Sequence, residues 1–248
     1  MNRTAMAITI TTMANSPHSE DVLGASALYR LLVWLSPSYP VGAFSYSSGL
    51  EWVVEAGDVR DAETLRRWLT IVIEGGSGFC DAVLLVHAHR AVMEDNEAAL
   101  RDVAELAAAL APSKERHLET TQQGRAFVDA TRATWPCAAL DRLLGIWNGT
   151  VAYPVAVGVA AAGHAIPLAP TVAAYLQAGA ANLVSAGVRL IPLGQTAGQT
   201  VLASLEPVIA TTAERALATP LAEIGGAAFR ADLATLRHET QYTRLFRS

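Results

Sequence analysis

The sequence predicts an all-α protein, a single-domain bundle of roughly ten helices with apolar central helices sheathed by charged ones. Three observations carry this. Apolar residues recur every three or four positions through most of the first half of the chain. No window keeps the period-two alternation of a half-buried strand for more than a few residues, and no strand–helix–strand rhythm is present. From Leu143 to Val188 there is no Asp, Glu, Lys or Arg, so this stretch supplies the centre that the charged helices cover.

The elements follow in order. Residues 1–20 are expected to form a flexible tail, because threonines interrupt its apolar run before it reaches the length of a signal-peptide core. Ser19, Glu20 and Asp21 mark a helix start, and Leu23, Ala27, Leu31 and Trp34 recur at helical spacing until Pro37. The stretch SPSYPVGAFSYSSGLE (36–51) reads as a rigid corner that feeds a helix. Pro37 and Pro40 are expected to hold an extended segment, Gly42 to permit a turn, and Ser48 with Glu51 to form a capping box at the start of a helix. Phe44 and Tyr46 alternate about Ser45, so each ring either packs inward or is offered to a partner.

Asp61 caps the next helix, with Leu65, Trp68, Leu69 and Val72 on one face and Gly75 and Gly76 beyond its end. Another helix runs from Gly78 to Glu94, and Asn96 caps one striped by Leu100, Val103, Ala107 and Leu110. Ser113 opens SKERHLETTQQGRAFVDATRATW, polar on most faces and therefore expected on the surface. The charge-free stretch is broken by Asn148, Tyr153-Pro154, His164, Pro167 and Pro170, so it reads as core helices and not as membrane spans. Gly158 and Ala162, then Ala174, Ala178 and Ala186, put small residues at helical spacing, which lets helices approach closely; surplus apolar surface there is a candidate dimer face.

IPLGQTAGQT (191–200) lacks the lysine of a phosphate loop, so it starts a helix after Gly194. Gln195 and Gln199 share a face of it and are expected to be a buried helix-to-helix clamp, the alternative being a polar path through the core. The last segment, FRADLATLRHETQYTRLFRS, places Arg230, Arg237 and Arg244 seven apart, which gives coherent charged rows if one helix runs through them. Its four arginines and two acids make it +2 in a chain of net charge −5. Tyr242, Leu245, Phe246 and Arg247 join apolar and guanidinium groups at a terminus, so this end should dock, either on its own body or on another protein. The domain reading is thus a tail (1–20), a helical body (21–228) and an arginine-rich docking tail (229–248) of the same domain.

No catalytic constellation emerges. GAFSYSSG is not the nucleophile-elbow pattern, so a serine hydrolase working through Ser45 or Ser47 is disfavoured. His87 and His89 stand two apart on a helix and point away from one another, and Cys80 and Cys137 have no paired spacing, so neither a metal site nor a disulfide framework is expected. The acidic balance argues against nucleic acid, and the two unpaired cysteines suit the cytoplasm. No cofactor is expected. A membrane-associated or small-molecule-binding helical protein is the alternative class.

The three segments SPSYPVGAFSYSSGLE, IPLGQTAGQ and RHETQYTRLFRS, in this order and at these separations, resemble the UreF family of urease accessory proteins from about Leu31 to Ser248. Tyr39 and Ser48 stand where the family pattern has leucine and glutamine, and Thr235-Leu236 where Ser-Met is common. The resemblance implies an all-helical, dimer-forming protein without chemistry of its own. It implies assembly with UreD (also called UreH), the GTPase UreG and apo-urease for nickel insertion, with modulation of the GTPase as a further implication. By the same resemblance Pro37, Pro40, Gly42, Phe44, Ser45, Tyr46, Gly49 and Glu51, then Gly194, Gln195 and Gln199, then His238, Glu239, Tyr242, Arg244, Leu245, Phe246 and Arg247 bind partners or organise the interface.

Overall fold

The computed structural model describes residues 23–247, and every regular element among them is helical. The flexible-tail reading of 1–20 and the Ser19–Asp21 helix start lie outside the described residues. The twelve α-helices are α1 (Ala25–Trp34), α2 (Leu50–Glu55), α3 (Ala62–Gly75), α4 (Ser77–Met93), α5 (Glu97–Ala109), α6 (Lys114–Thr134), α7 (Ala138–Ile146), α8 (Tyr153–Gly163), α9 (Leu168–Leu190), α10 (Gln195–Ser204), α11 (Glu206–Ala218) and α12 (Phe229–His238).

Starts expected from the sequence coincide with local hydrogen bonding. The Asp61 side chain accepts from the Thr64 amide while the Thr64 side chain reaches back to the Asp61 amide, a complete capping box. Asn96 and Ser113 accept from the amides three residues on. Pro154 occupies the first turn of α8, where its missing amide costs nothing.

The charge-free stretch becomes the centre. In α8 every residue from Pro154 to Ala162 is buried, and α4, α5, α6, α7 and α9 surround it. Close approach depends on Gly158: a methyl group there would lie 2.5 Å from the Leu85 carbonyl oxygen of α4. Gly158→Ala must therefore push two packed helices apart, and it is expected to lower stability by about 1–3 kcal/mol. Thermal unfolding followed by circular dichroism should register a drop of roughly 2–12 °C; an unchanged midpoint would mean that α8 is loosely seated.

α3 and α4 together, Ala62–Met93, form one stretch long and apolar enough by composition to cross a membrane. The helix breaks at Gly76, and 56% of its most apolar window is buried inside the fold.

Two expectations about local structure are corrected. Residues 36–41 do not run extended: the Tyr39 amide donates to Ser36 O at 3.0 Å and the Val41 amide to Tyr39 O at 2.7 Å, so the segment folds into successive turns. The φ that proline fixes suits a turn as well as an extended strand. The C-terminal arginine rows also stop short, because α12 ends at His238 and Arg244 lies beyond it.

Candidate functional site

The largest correction concerns α6. Its polar face is not a solvated surface: Glu115, Arg116, Glu119, Thr120, Thr121, Gln123 and Thr131 are all buried, in line with Gly124 and Phe127. Buried charges require partners, and two linked networks provide them.

The first network lies under the corner. The Arg116 guanidinium donates to Glu119 Oε2 at 2.7 Å and reaches Asp81 Oδ2 of α4 at 3.5 Å. Tyr175 of α9 donates its hydroxyl to the same Asp81 oxygen at 3.1 Å, and Ser48 Oγ donates to Glu119 at 3.2 Å. Burial opposes the charge on Arg116, but Glu119 and Asp81 overcome it and hold the guanidinium above its ordinary value. Burial pushes the Asp81 carboxyl up, with Arg116 opposing, and pushes the Tyr175 hydroxyl well above its ordinary value, with Asp81 adding to the effect. These groups floor a groove of about 540 Å³ whose walls include Leu28 and Leu32 of α1, Phe44, and Ala174 and Ala178 of α9.

The second network fastens the C-terminal segment to the corner. His238, fully buried, stands between two carboxylates: Nδ1 is 2.7 Å from Glu115 Oε2 and Nε2 is 3.2 Å from Glu51 Oε2. The other Glu115 oxygen accepts from Arg244 at 2.8 Å. Glu51 also accepts the Leu245 amide at 2.6 Å and the Phe246 amide at 2.9 Å, one on each oxygen. The Arg247 amide then donates to Ser45 O at 2.8 Å.

This second network explains why the expected capping box at Ser48 and Glu51 is absent. Ser48 and Gly49 both take positive φ, 50° and 78°, and Gly49 becomes the N-cap of α2. A side chain at Gly49 would meet the Thr235 backbone nitrogen of α12 at 2.8 Å, so glycine serves both the left-handed turn and the contact. Glu51, freed from capping, grips the tail.

Of the two alternating aromatics, Tyr46 is buried and Phe44 is 64% exposed. Tyr46 donates to Gln122 Oε1 at 3.0 Å; burial raises its hydroxyl pKa and the Arg247 guanidinium opposes the rise. Phe246 is buried beneath the Arg189 guanidinium, 4.4 Å from the ring centre, and Arg189 also donates twice to Phe44 O. Tyr242 and Leu245 face solvent, Leu245 at 66% exposure, and Arg247 is exposed beside them. Glu239 accepts the Lys114 amide at 2.9 Å at the start of α6. Pro37 and Pro40 lie exposed on the corner's turns, and Gly42 takes a φ of 72° there.

Ser45, Tyr46, Gly49 and Glu51 of the corner thus meet His238, Leu245, Phe246 and Arg247 of the tail region at one place, while Pro37, Pro40 and Tyr242 stay exposed. The third group does not join them. α10 starts after Gly194 as expected, but Gln195 and Gln199 are exposed, so neither a buried clamp nor a path through the core runs through them. The face of α10 that turns inward carries Gly198 and Val201. Sequence reading also missed Asp81, Glu115, Arg116, Glu119, Tyr175 and Arg189. The available signal was the row Arg116, Thr120, Gln123 and Phe127, in which polar residues share a helical face with a large apolar one.

Four further reactive groups are occupied or inert. His87, His89 and His164 place Nε2 2.9–3.0 Å from the carbonyls of Thr219, Ile166 and Trp135, as satisfied histidines should. Burial pushes the Cys80 thiol up to about 11, leaving it a poor nucleophile at neutral pH. Among the described residues no three His, Cys, Asp or Glu side chains are grouped to hold a metal ion.

Comparison with known proteins gives the geometry its context. The UreF family model matches residues 59–206. The urease accessory protein UreF of Rhodopseudomonas palustris strain HaA2 is 62% identical over 225 residues, covering 91% of this chain and 94% of the relative. That of strain BisB18 is 58% identical over 241 residues, 95% and 100% of the two chains. The UreF of Bradyrhizobium diazoefficiens is 59% identical over 224 residues, 90% and 93% of the two. By family model and by near full-length identity, the chain belongs to the UreF family of urease accessory proteins.

Proposed function

We propose that this chain is a non-catalytic assembly protein for urease, which joins UreD and the GTPase UreG on apo-urease so that nickel enters the active site, and which modulates the GTPase within that assembly. The observation that carries the reading is the C-terminal segment: its main chain is fixed to buried carboxylates while Tyr242, Leu245 and Arg247 face solvent. Aromatic, apolar and arginine side chains held in a defined conformation are what interface anchors require. We assign UreD to this surface, with Phe44 and Arg189 beside it.

A homodimer is part of the same reading. The groove beside α9 has walls of exposed Leu28 and Leu32 and of the small residues Ala174 and Ala178, apolar edges suited to a second copy. The acidic net charge argues against nucleic acid as a partner, and the assembly is assigned to the cytoplasm.

The test is direct. Purified chain mixed with UreD is expected to co-elute with it on gel filtration, and Tyr242→Ala with Leu245→Ala should weaken the complex by about thirtyfold or more. Co-elution unchanged in that double variant would remove UreD from this surface. Turnover of a small substrate by the purified chain would overturn the non-catalytic reading.

A further inference from the structure

We infer that Asp81 is a positioning residue for the groove: one of its oxygens accepts from the helices on both sides, which fixes their separation and so sets how tightly a second copy binds. This rests on the reading of the groove as the homodimer face.

The geometry is a tie across the groove floor. Arg116 of α6 reaches Asp81 Oδ2 at 3.5 Å from one side, and Tyr175 of α9 donates its hydroxyl to the same oxygen at 3.1 Å from the other. Asp81 belongs to α4, which packs on the central helix α8, so both sides are tied to a fixed element. The walls follow from these anchors. Tyr175 stands next to Ala174 and within one turn of Ala178, the small residues of one wall, and a helix passes the position of one side chain on to its neighbours. On the other side α1 carries Leu28 and Leu32, and Trp34 at its end meets Phe127 of α6 edge-on at 5.8 Å. Phe127 then meets Tyr153 of α8 at 5.7 Å, and Tyr153 meets Tyr175 at 5.5 Å. Rings therefore fill the space between the two walls, and Asp81 holds the last of them by its hydroxyl.

A self-complementary face is used twice in a two-fold dimer, so a change in groove width is felt at two places. A wall that shifts or fluctuates must be put back in place at a cost to binding. Releasing Tyr175 should then weaken the dimer even though Leu28, Leu32, Ala174 and Ala178 are all still present.

The test uses the full-length chain and sedimentation equilibrium, which reads the dimer dissociation constant. Tyr175→Phe keeps the ring and deletes the donor, and the dissociation constant is expected to rise by about tenfold or more. Asp81→Asn keeps an oxygen that can accept from Tyr175 and leaves Arg116 paired with Glu119, so it should stay within about threefold of wild type, whereas Asp81→Ala should lose as much as Tyr175→Phe. If Tyr175→Phe does not fold, the Asp81→Asn and Asp81→Ala pair makes the same comparison from α4. Unchanged dimerisation in Tyr175→Phe, or a loss in Asp81→Asn as large as in Asp81→Ala, would overturn the positioning role. Ala178→Arg separates the two readings, because it puts a long cation on the apolar wall and should leave the chain monomeric. A monomeric wild type, or an Ala178→Arg chain that dimerises as wild type does, removes the dimer face and the inference with it. Loss of the dimer in Ala178→Arg with none in Tyr175→Phe removes only the role of Asp81.

Discussion

Arg116→Ala is expected to destabilise the chain by about 3–5 kcal/mol, because it strands Glu119 and Asp81 without the cation that balances them. The guanidinium is 10% exposed and joins α6 to α4, with Tyr175 of α9 on the same Asp81 oxygen, so three helices lose a common tie. In a chain of this length such a loss lowers the melting midpoint by roughly 6–20 °C. The sign of the pH dependence follows from Asp81, whose carboxyl is already pushed up by burial. An acid that binds its proton more tightly folded than unfolded penalises folding most above its folded pKa, and the penalty fades as the pH falls below the ordinary carboxylate value. The deficit of Arg116→Ala should therefore shrink on acidification. Combining Arg116→Met with Asp81→Asn and Glu119→Gln should recover most of the loss, since neutral groups replace the whole set. Wild-type stability in Arg116→Ala at neutral pH would mean that water entering from the groove already screens the cluster.

This cluster also marks the limit of what the sequence shows. Helix starts were legible because their causes are local: Asp61 finds Thr64 three residues away, and Asn96 and Ser113 act over the same span. The burial of α8 was legible because a segment without charges has no reason to face water. The role of α6 was not. Glu115, Arg116 and Glu119 look the same on a solvated helix as in an internal network, and what decides between them is Asp81, 35 residues earlier, and His238, 123 residues later. Glu51 was named for the right neighbourhood but given a local capping task; its partners lie 187, 194 and 195 residues away. Gln195 and Gln199 show the converse error, since an amide in an apolar stretch still reaches solvent when its helix turns that face outward.

The tail's docking was foreseen from composition, a terminus carrying Arg244, Leu245, Phe246 and Arg247. Its destination was not. Phe246 packs on the body at 5% exposure while Leu245 stays outside, so one segment serves as both anchor and display. Cutting the chain before His238 would confuse the two roles by leaving Glu51 and Glu115 facing each other without the imidazole between them. A cut after Thr240 removes the display, and with it Arg244 and the two amides that Glu51 accepts, but keeps His238 between the two carboxylates and all twelve described helices.

The most direct measurement is urease activation with UreD, UreG and nickel, using the full chain and the chain ending at Thr240. The truncated chain should keep its helical circular dichroism, lose UreD by about thirtyfold or more, and fail to support activation. Full activation by the truncated chain would contradict the assignment of the fixed, outward-facing C-terminal segment as the surface through which this protein works.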